Sequence, residues 1–140
     1  MHKFAGFLFF ILALAAVPAT AAAELASPEG TWELEFRDSH FRVEFCDGDK
    51  LCGTLVWLSE GASTPEKTKY LDQLVVKYAS PKGENAWQGE MDLLGEHVYG
   101  TIEQRSDDLL GLTGCKFVVL CRTLLMYRLA PGASPADLAE

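Results

Sequence analysis

Apolar and polar positions alternate with a period of two along most of the chain after residue 29, and no sustained helical stripe competes with that rhythm. Trp32, Leu34 and Phe36 alternate with Thr31, Glu33, Glu35 and Arg37, which predicts a half-buried strand ended by Asp38-Ser39-His40. Phe41, Val43 and Phe45 alternate with Arg42 and Glu44 before Asp47-Gly48-Asp49 turns the chain. The next strand runs through Leu55 and Trp57 to a polar loop over 60–69. Leu74, Val76 and Tyr78 predict another strand, closed by Pro81-Lys82-Gly83. Trp87, Gly89, Met91 and Leu93 form one face of a further strand; Val98, Gly100 and Ile102 form a face of the next. Leu110 and Leu112, then Leu124 and Met126, complete a last hairpin. About eight short strands joined by turns leave no room for crossover helices. The prediction is an all-β, antiparallel, up-and-down barrel, since closure removes the exposed sheet edges. An open twisted sheet or a sandwich is the alternative.

Four cysteines add a constraint on pairing. Cys46 and Cys52 are separated by five residues, as are Cys115 and Cys121. Four cysteines allow three connectivities. Placing Cys46 opposite Cys52 sets Val43 against Leu55 and Phe41 against Trp57 on one apolar face. Placing Cys115 opposite Cys121 sets Thr113 against Thr123, Leu112 against Leu124 and Leu110 against Met126. Both registers keep the faces coherent, so two disulfide-stapled hairpins are expected. Zinc is the competing reading, but this spacing differs from the usual knuckle, and only His40 and His97 follow the leader. No metal and no cofactor are expected.

The start of the chain has the parts of a secretory signal over residues 1–23. His2 and Lys3 precede an apolar run from Phe4 to Val17, and small residues offer cleavage after Ala21 or Ala23. Export to a periplasmic or extracellular space agrees with disulfides. One barrel domain over 24–130 follows, then a disordered tail over 131–140, with no membrane span in the mature protein. The formal charge is −8, and −9 once Lys3 leaves with the leader. Such acidity disfavours nucleic acid and anionic lipid as partners.

Gly30-Thr31-Trp32 opens the first strand and Arg128 ends the last. In an up-and-down barrel those strands become neighbours, so the guanidinium can stack on the indole and donate to nearby carbonyls. This pairing resembles the lipocalin and wider calycin barrels, where it closes one end. Trp32 and Arg128 are therefore read as structural. A further resemblance rests on Gly30-Thr31-Trp32, Val43-Glu44-Phe45-Cys46, Leu51-Cys52-Gly53-Thr54-Leu55-Val56-Trp57-Leu58, Trp87-Gln88-Gly89, Tyr99, Gly114-Cys115 and Cys121-Arg122-Thr123. These segments are similar to the DUF2147 family of exported bacterial proteins. The family has no assigned activity, and a lipocalin-like fold is what the resemblance implies. This chain differs in having no Trp near Met126, no Asn-Pro after Trp57 and no Gly near Asp72-Gln73.

No nucleophile–base–orienter arrangement stands out around His40, placed in a turn, or His97, so the protein is not expected to be an enzyme. A carboxylate partner for either histidine within a pocket would reopen that question. Glu33, Glu35 and Glu44 read as solvated strand faces. The expected function is binding of a small apolar or amphipathic ligand inside the barrel, lined by Leu34, Phe36, Val43, Leu55, Trp57, Met91, Leu112 and Leu124. Each of these is equally well explained as core. The alternative is an envelope protein–protein interaction or inhibitor module using the last hairpin, whose tip Phe117-Val118-Val119 is apolar for a turn. A hollow interior open at one end favours the first; a packed interior with that tip exposed favours the second.

Overall fold

Eight strands follow one another around a closed barrel, each hydrogen-bonded to the next and the last to the first. They are β1 (Gly30–Leu34), β2 (Ser39–Phe45), β3 (Leu51–Leu58), β4 (Leu74–Pro81), β5 (Ala86–Leu93), β6 (Glu96–Ser106), β7 (Leu109–Lys116) and β8 (Leu120–Arg128). The computed structural model describes residues 13–18, 24–93, 95–117 and 119–130. The charged start of the expected signal segment, both expected cleavage points and the tail expected over 131–140 lie outside them. Between β3 and β4 a 3-10 turn (Glu60–Ala62) and a single helical turn, α1 (Pro65–Thr68), interrupt the loop.

All pairings of consecutive strands are antiparallel, as the meander requires, and β1 closes on β8 with Trp32 opposite Arg128 and Leu34 opposite Met126. Both cysteine pairs are bonded, Cys46 to Cys52 and Cys115 to Cys121. The last hairpin has the expected register, with Cys115 opposite Cys121 and Leu112 opposite Leu124.

The first stapled hairpin differs. Glu44, not Cys46, stands opposite Cys52, and Val43 meets Gly53 while Phe41 meets Leu55. The Cys46 amide donates to the Lys50 carbonyl at 2.8 Å, closing a tight turn in which Asp47 and Gly48 both have positive φ. The disulfide therefore spans the ladder diagonally. The slip is two residues, so each side chain keeps its face.

A bulge between His40 and Phe41 alters the rest of that pairing: after Phe41 meets Leu55, His40 meets Trp57 and Val56 is the extra residue. Trp57 is thereby turned to His40's outward face and is only partly buried, contrary to its expected inward position. Phe36 is also corrected. It lies beyond the end of β1 and is 50% exposed.

The barrel interior is filled. Trp32, Leu34, Val43, Met91, Ile102, Leu112, Leu124 and Met126 belong to one buried cluster. A void of about 10 Å³ remains between Val43, Gly53, Val76, Ile102 and Met126. That is about the size of a single water, and its lining offers no polar partner.

One end is shut. The Arg128 guanidinium lies 4.3 Å from the Trp32 ring centroid. It donates to the carbonyls of Asp107, Glu29 and Ser27 at 2.7–2.8 Å, while the Trp32 indole donates to Pro28 at 2.9 Å. The segment before β1 is held across this end, since Gln104 donates to Ala26 and Ala26 donates to Asp107. Gly30 is obligatory here: its φ is +144°, and a Cβ would stand 2.9 Å from Arg128 Nη1.

Candidate ligand site at the open end of the barrel

The opposite end is formed where β5 and β7 finish and β6 and β8 begin. A glycine lets apolar side chains pack close against the wall at this end. Gly114 faces inward, and a Cβ there would lie 2.8 Å from Val98 and 3.3 Å from Leu93. Above the core lies a cup of about 280 Å³ walled by Leu93, Val98, Leu120 and Leu124, with Glu96, Lys116 and Arg122 at its rim. That is near the lower limit for small-molecule pockets, and its composition, an apolar floor under a few polar groups, is typical of them.

Arg122 stands opposite Gly114 and shares its inward parity. Its guanidinium sits 5.9 Å from the Phe36 ring centroid. Among the described residues it has no carboxylate partner, whereas the neighbouring Lys116 ammonium is held 3.0 Å from Glu96. In a chain of net charge −8, Arg122 is a cation available to an incoming acid. Phe36, expected in the core, is thus the aromatic neighbour of the rim's cation.

The stapled tip overhangs the cup. Phe117 is 75% exposed, Val119 82% and Leu120 64%, which places a large apolar surface in water beside the opening. Cys115–Cys121 fixes the base of this tip, while Cys46–Cys52 lies at the shut end. Across the mouth a recess of about 60 Å³ lies beneath α1, lined by Phe41, Leu55, Leu58, Lys67 and Tyr70. The segment before β4 holds it in place: Asp72 donates to the Leu55 carbonyl at 2.8 Å and Leu55 to Gln73 at 3.2 Å.

Of the residues expected to line a ligand chamber, Leu124 alone reaches the cup. Leu34, Val43, Met91 and Leu112 are packed in the core, and Leu55 lies under α1. Residues that build the cup but were not singled out for it are Leu93, Val98, Gly114, Leu120 and Arg122. Their signal was the departure of β8 from strict alternation, with a charge at an inward position.

Both histidines have carboxylate partners. His40 belongs to β2 rather than a turn, and its Nε2 lies 2.9 Å from Glu33 Oε2. Glu33 is 8% exposed and His40 3%, so Glu33 is no solvated strand residue. Arg37 approaches the other Glu33 oxygen at 3.4 Å, and Trp57 stacks on the imidazole with centroids 4.3 Å apart. The second pair is His97 Nδ1 and Asp92 Oδ1 at 3.0 Å, with Lys77 Nζ 3.1 Å from Asp92 Oδ2. Burial raises the Asp92 pKa, but the hydrogen bonds and charges of His97 and Lys77 outweigh it and hold the carboxyl below its ordinary value. Neither imidazole hydrogen-bonds a hydroxyl or thiol among the described residues. No group of three metal-ligating side chains occurs among them, and no helix there is long and apolar enough to cross a membrane.

The fold and the mouth define a lipocalin-like barrel. No family model matches the chain, and no curated protein sequence matches it. Among solved structures it is similar to protein HP1028 from the human pathogen Helicobacter pylori, which belongs to the lipocalin family. The TM-score is 0.56 at 16% sequence identity, covering 74% of this chain and 83% of the other. At that identity the likeness is one of fold. The two disulfides indicate an oxidising, non-cytoplasmic compartment.

Proposed function

We propose that this protein is an exported binder that seats a small amphipathic ligand with an anionic head in the open end of its barrel. The carrying observation is the apolar cup of about 280 Å³ with Arg122 at its rim, a cation that has no carboxylate partner among the described residues. An apolar tail on Leu93, Val98, Leu120 and Leu124 is favoured by removal from water. A carboxylate or phosphate head at Arg122 gains charge-assisted, bidentate hydrogen bonds. The ligand sits at the mouth and not in the depth of the barrel, because the packed core leaves no room there. Secretion through a cleaved signal and membership of DUF2147 belong to this reading; the stapled hairpins and the motifs around them support both. We read the protein as a binder rather than an enzyme: although Asp92 of the His97 pair lines a groove on the outer wall, neither imidazole hydrogen-bonds a hydroxyl or thiol among the described residues.

A second reading, docking of an envelope protein on the last hairpin, is favoured by the exposed Phe117, Val119 and Leu120. Native mass spectrometry of protein isolated from its cell envelope, followed by denaturing release, separates the two. A reproducible small acidic adduct is expected, and it is lost in Arg122→Ala. A clean apo mass in wild type, with capture of a partner protein that Phe117→Ser abolishes, would replace the first reading with the second.

A further inference from the structure

A second concavity lies on the outer wall, independent of the cup. It is an open groove of about 970 Å³ over β4, β5 and the start of β6, and it contains Tyr70, Tyr78 and Tyr99. Tyr78 is 52% exposed and Tyr99 59%. Gln73, Gln88, Ser80, Lys77, Glu90 and Asp92 line the same groove.

The backbone is distorted to build it. Lys77 pairs with Glu90 and Ser80 with Gln88, so Tyr78 and Ala79 together oppose Gly89. The first residue of this bulge, Tyr78, has φ +48°, a position where glycine is the usual occupant. A bulky aromatic in the left-handed region is a strained outlier, and such outliers concentrate at functional sites. Gly89 accommodates the distortion, because a Cβ there would lie 2.9 Å from Ala79 Cα. The bulge places Ala79 in the core and Tyr78 in the groove.

We propose that this groove binds a neutral oligosaccharide. The lining chemistry selects that class. Sugar rings present apolar C–H faces, which tyrosine rings cover, and hydroxyl edges, which amides, carboxylates and ammonium groups satisfy. The amides of Gln73 and Gln88 and the hydroxyls of Tyr70, Tyr78, Tyr99 and Ser80 make no hydrogen bond among the described residues. They are free to exchange water for a polyhydroxyl ligand. Lys69 and Lys77 balance Glu90 and Asp92 in the lining, so the groove is a neutral stretch on an acidic protein. An uncharged ligand complements it. An extended peptide is disfavoured because the closed barrel offers no free strand edge for main-chain pairing. Nucleic acid is disfavoured by Glu90 and Asp92. Asp92 is oriented by His97 and Lys77, which fixes an acceptor in the groove floor before any ligand arrives.

The test is an NMR titration of the full protein, carrying 13C-labelled tyrosine, with soluble neutral oligosaccharides of glucose, galactose and N-acetylglucosamine, each raised to about 10 mM to reach weak affinities. The expected result is saturable shifts of Tyr70, Tyr78 and Tyr99 with at least one member, and none at Tyr127, which is exposed on β8 outside the groove. Tyr99→Ala should weaken binding at least about tenfold, the loss expected when a central aromatic anchor is truncated. Tyr78→Gly separates function from folding: it relieves the left-handed strain, so the melting temperature holds or rises while binding falls. No shift with any oligosaccharide overturns the proposal. So does a Tyr78→Gly protein that binds as well as wild type, or shifts of Tyr127 equal to those in the groove.

Discussion

The Arg128 guanidinium lies 4.3 Å from the ring centroid of Trp32, and this contact decides which end of the barrel is shut. The first and last strands meet there, and three carbonyls from the flanking segments converge on the same side chain. With that end sealed and the interior packed, the opposite mouth is the part of the barrel that the proposed amphipathic ligand can enter.

Truncating this closure should be costly. Arg128→Ala removes the stack and leaves the carbonyls of Ser27, Glu29 and Asp107 without their donor. Hydrogen bonds to a charged group contribute about 1.5–3 kcal/mol each and overlap when they share one donor, so a loss of roughly 2–4 kcal/mol is expected. Urea denaturation of the variant measures it. Arg128→Lys should recover only part, because an ammonium cannot offer the planar fork that reaches three acceptors.

The buried pair of Glu33 and His40 should show strong coupling. His40→Ala strips a partner from a carboxylate that has little access to water, and an unsatisfied buried group costs about 1–3 kcal/mol. A double-mutant cycle with Glu33→Gln is expected to give a coupling energy above about 0.5 kcal/mol. The same cycle on Arg42 and Glu44, an exposed pair 3.9 Å apart, should give far less.

The acid limb of stability should carry a contribution from Asp92. Its carboxyl titrates below the ordinary value of about 3.9 because His97 and Lys77 favour the ionised form. The stabilisation is fully present above that ordinary value and is lost as pH falls through the lower folded value. Asp92→Asn should therefore flatten the fall in stability below about pH 4 relative to wild type, as read from melting temperatures across that range. An unchanged acid limb would mean that Asp92 contributes nothing to it.

The two disulfides close equally short loops, so the chain-entropy estimate is the same for each, about 2 kcal/mol. Their functional consequences should differ. Cys115→Ser with Cys121→Ser releases the tip beside the cup and is expected to weaken ligand binding as well as the fold. Cys46→Ser with Cys52→Ser acts at the shut end and should lower stability while leaving affinity within about twofold once the protein is folded. Calorimetric titration of both double variants separates the effects.

Much of the barrel was legible because a half-buried strand writes its faces into every second residue. β5, β6 and the β7–β8 hairpin obey that rule closely, and their registers follow from it. What escaped the sequence is irregular. The slip of the β2–β3 hairpin preserves the faces, so alternation cannot detect it. The bulge at Val56 turns Trp57 outward and the one at Tyr78 breaks the rhythm of β4, and neither carries a glycine to announce it. Phe36 continues the alternation in sequence but lies past the strand end, where it is half exposed beside Arg122. Glu33 and His40 looked like surface residues because each is polar alone; their burial depends on facing each other across the ladder under Trp57. The cup was hidden for a related reason. Side-chain identity marks an apolar face, but whether that face is filled depends on how small residues such as Gly114 distribute volume around it.

The most direct test of the mouth site is a methyl NMR titration of the full protein with decanoate, a soluble anionic amphiphile. Saturable shifts confined to Leu93, Val98, Leu120 and Leu124 are expected, greatly reduced in Arg122→Ala, with Val43, Met91 and Leu112 unmoved. Shifts centred on Val43, Met91 and Leu112, or none at the cup, would contradict a ligand site at the mouth.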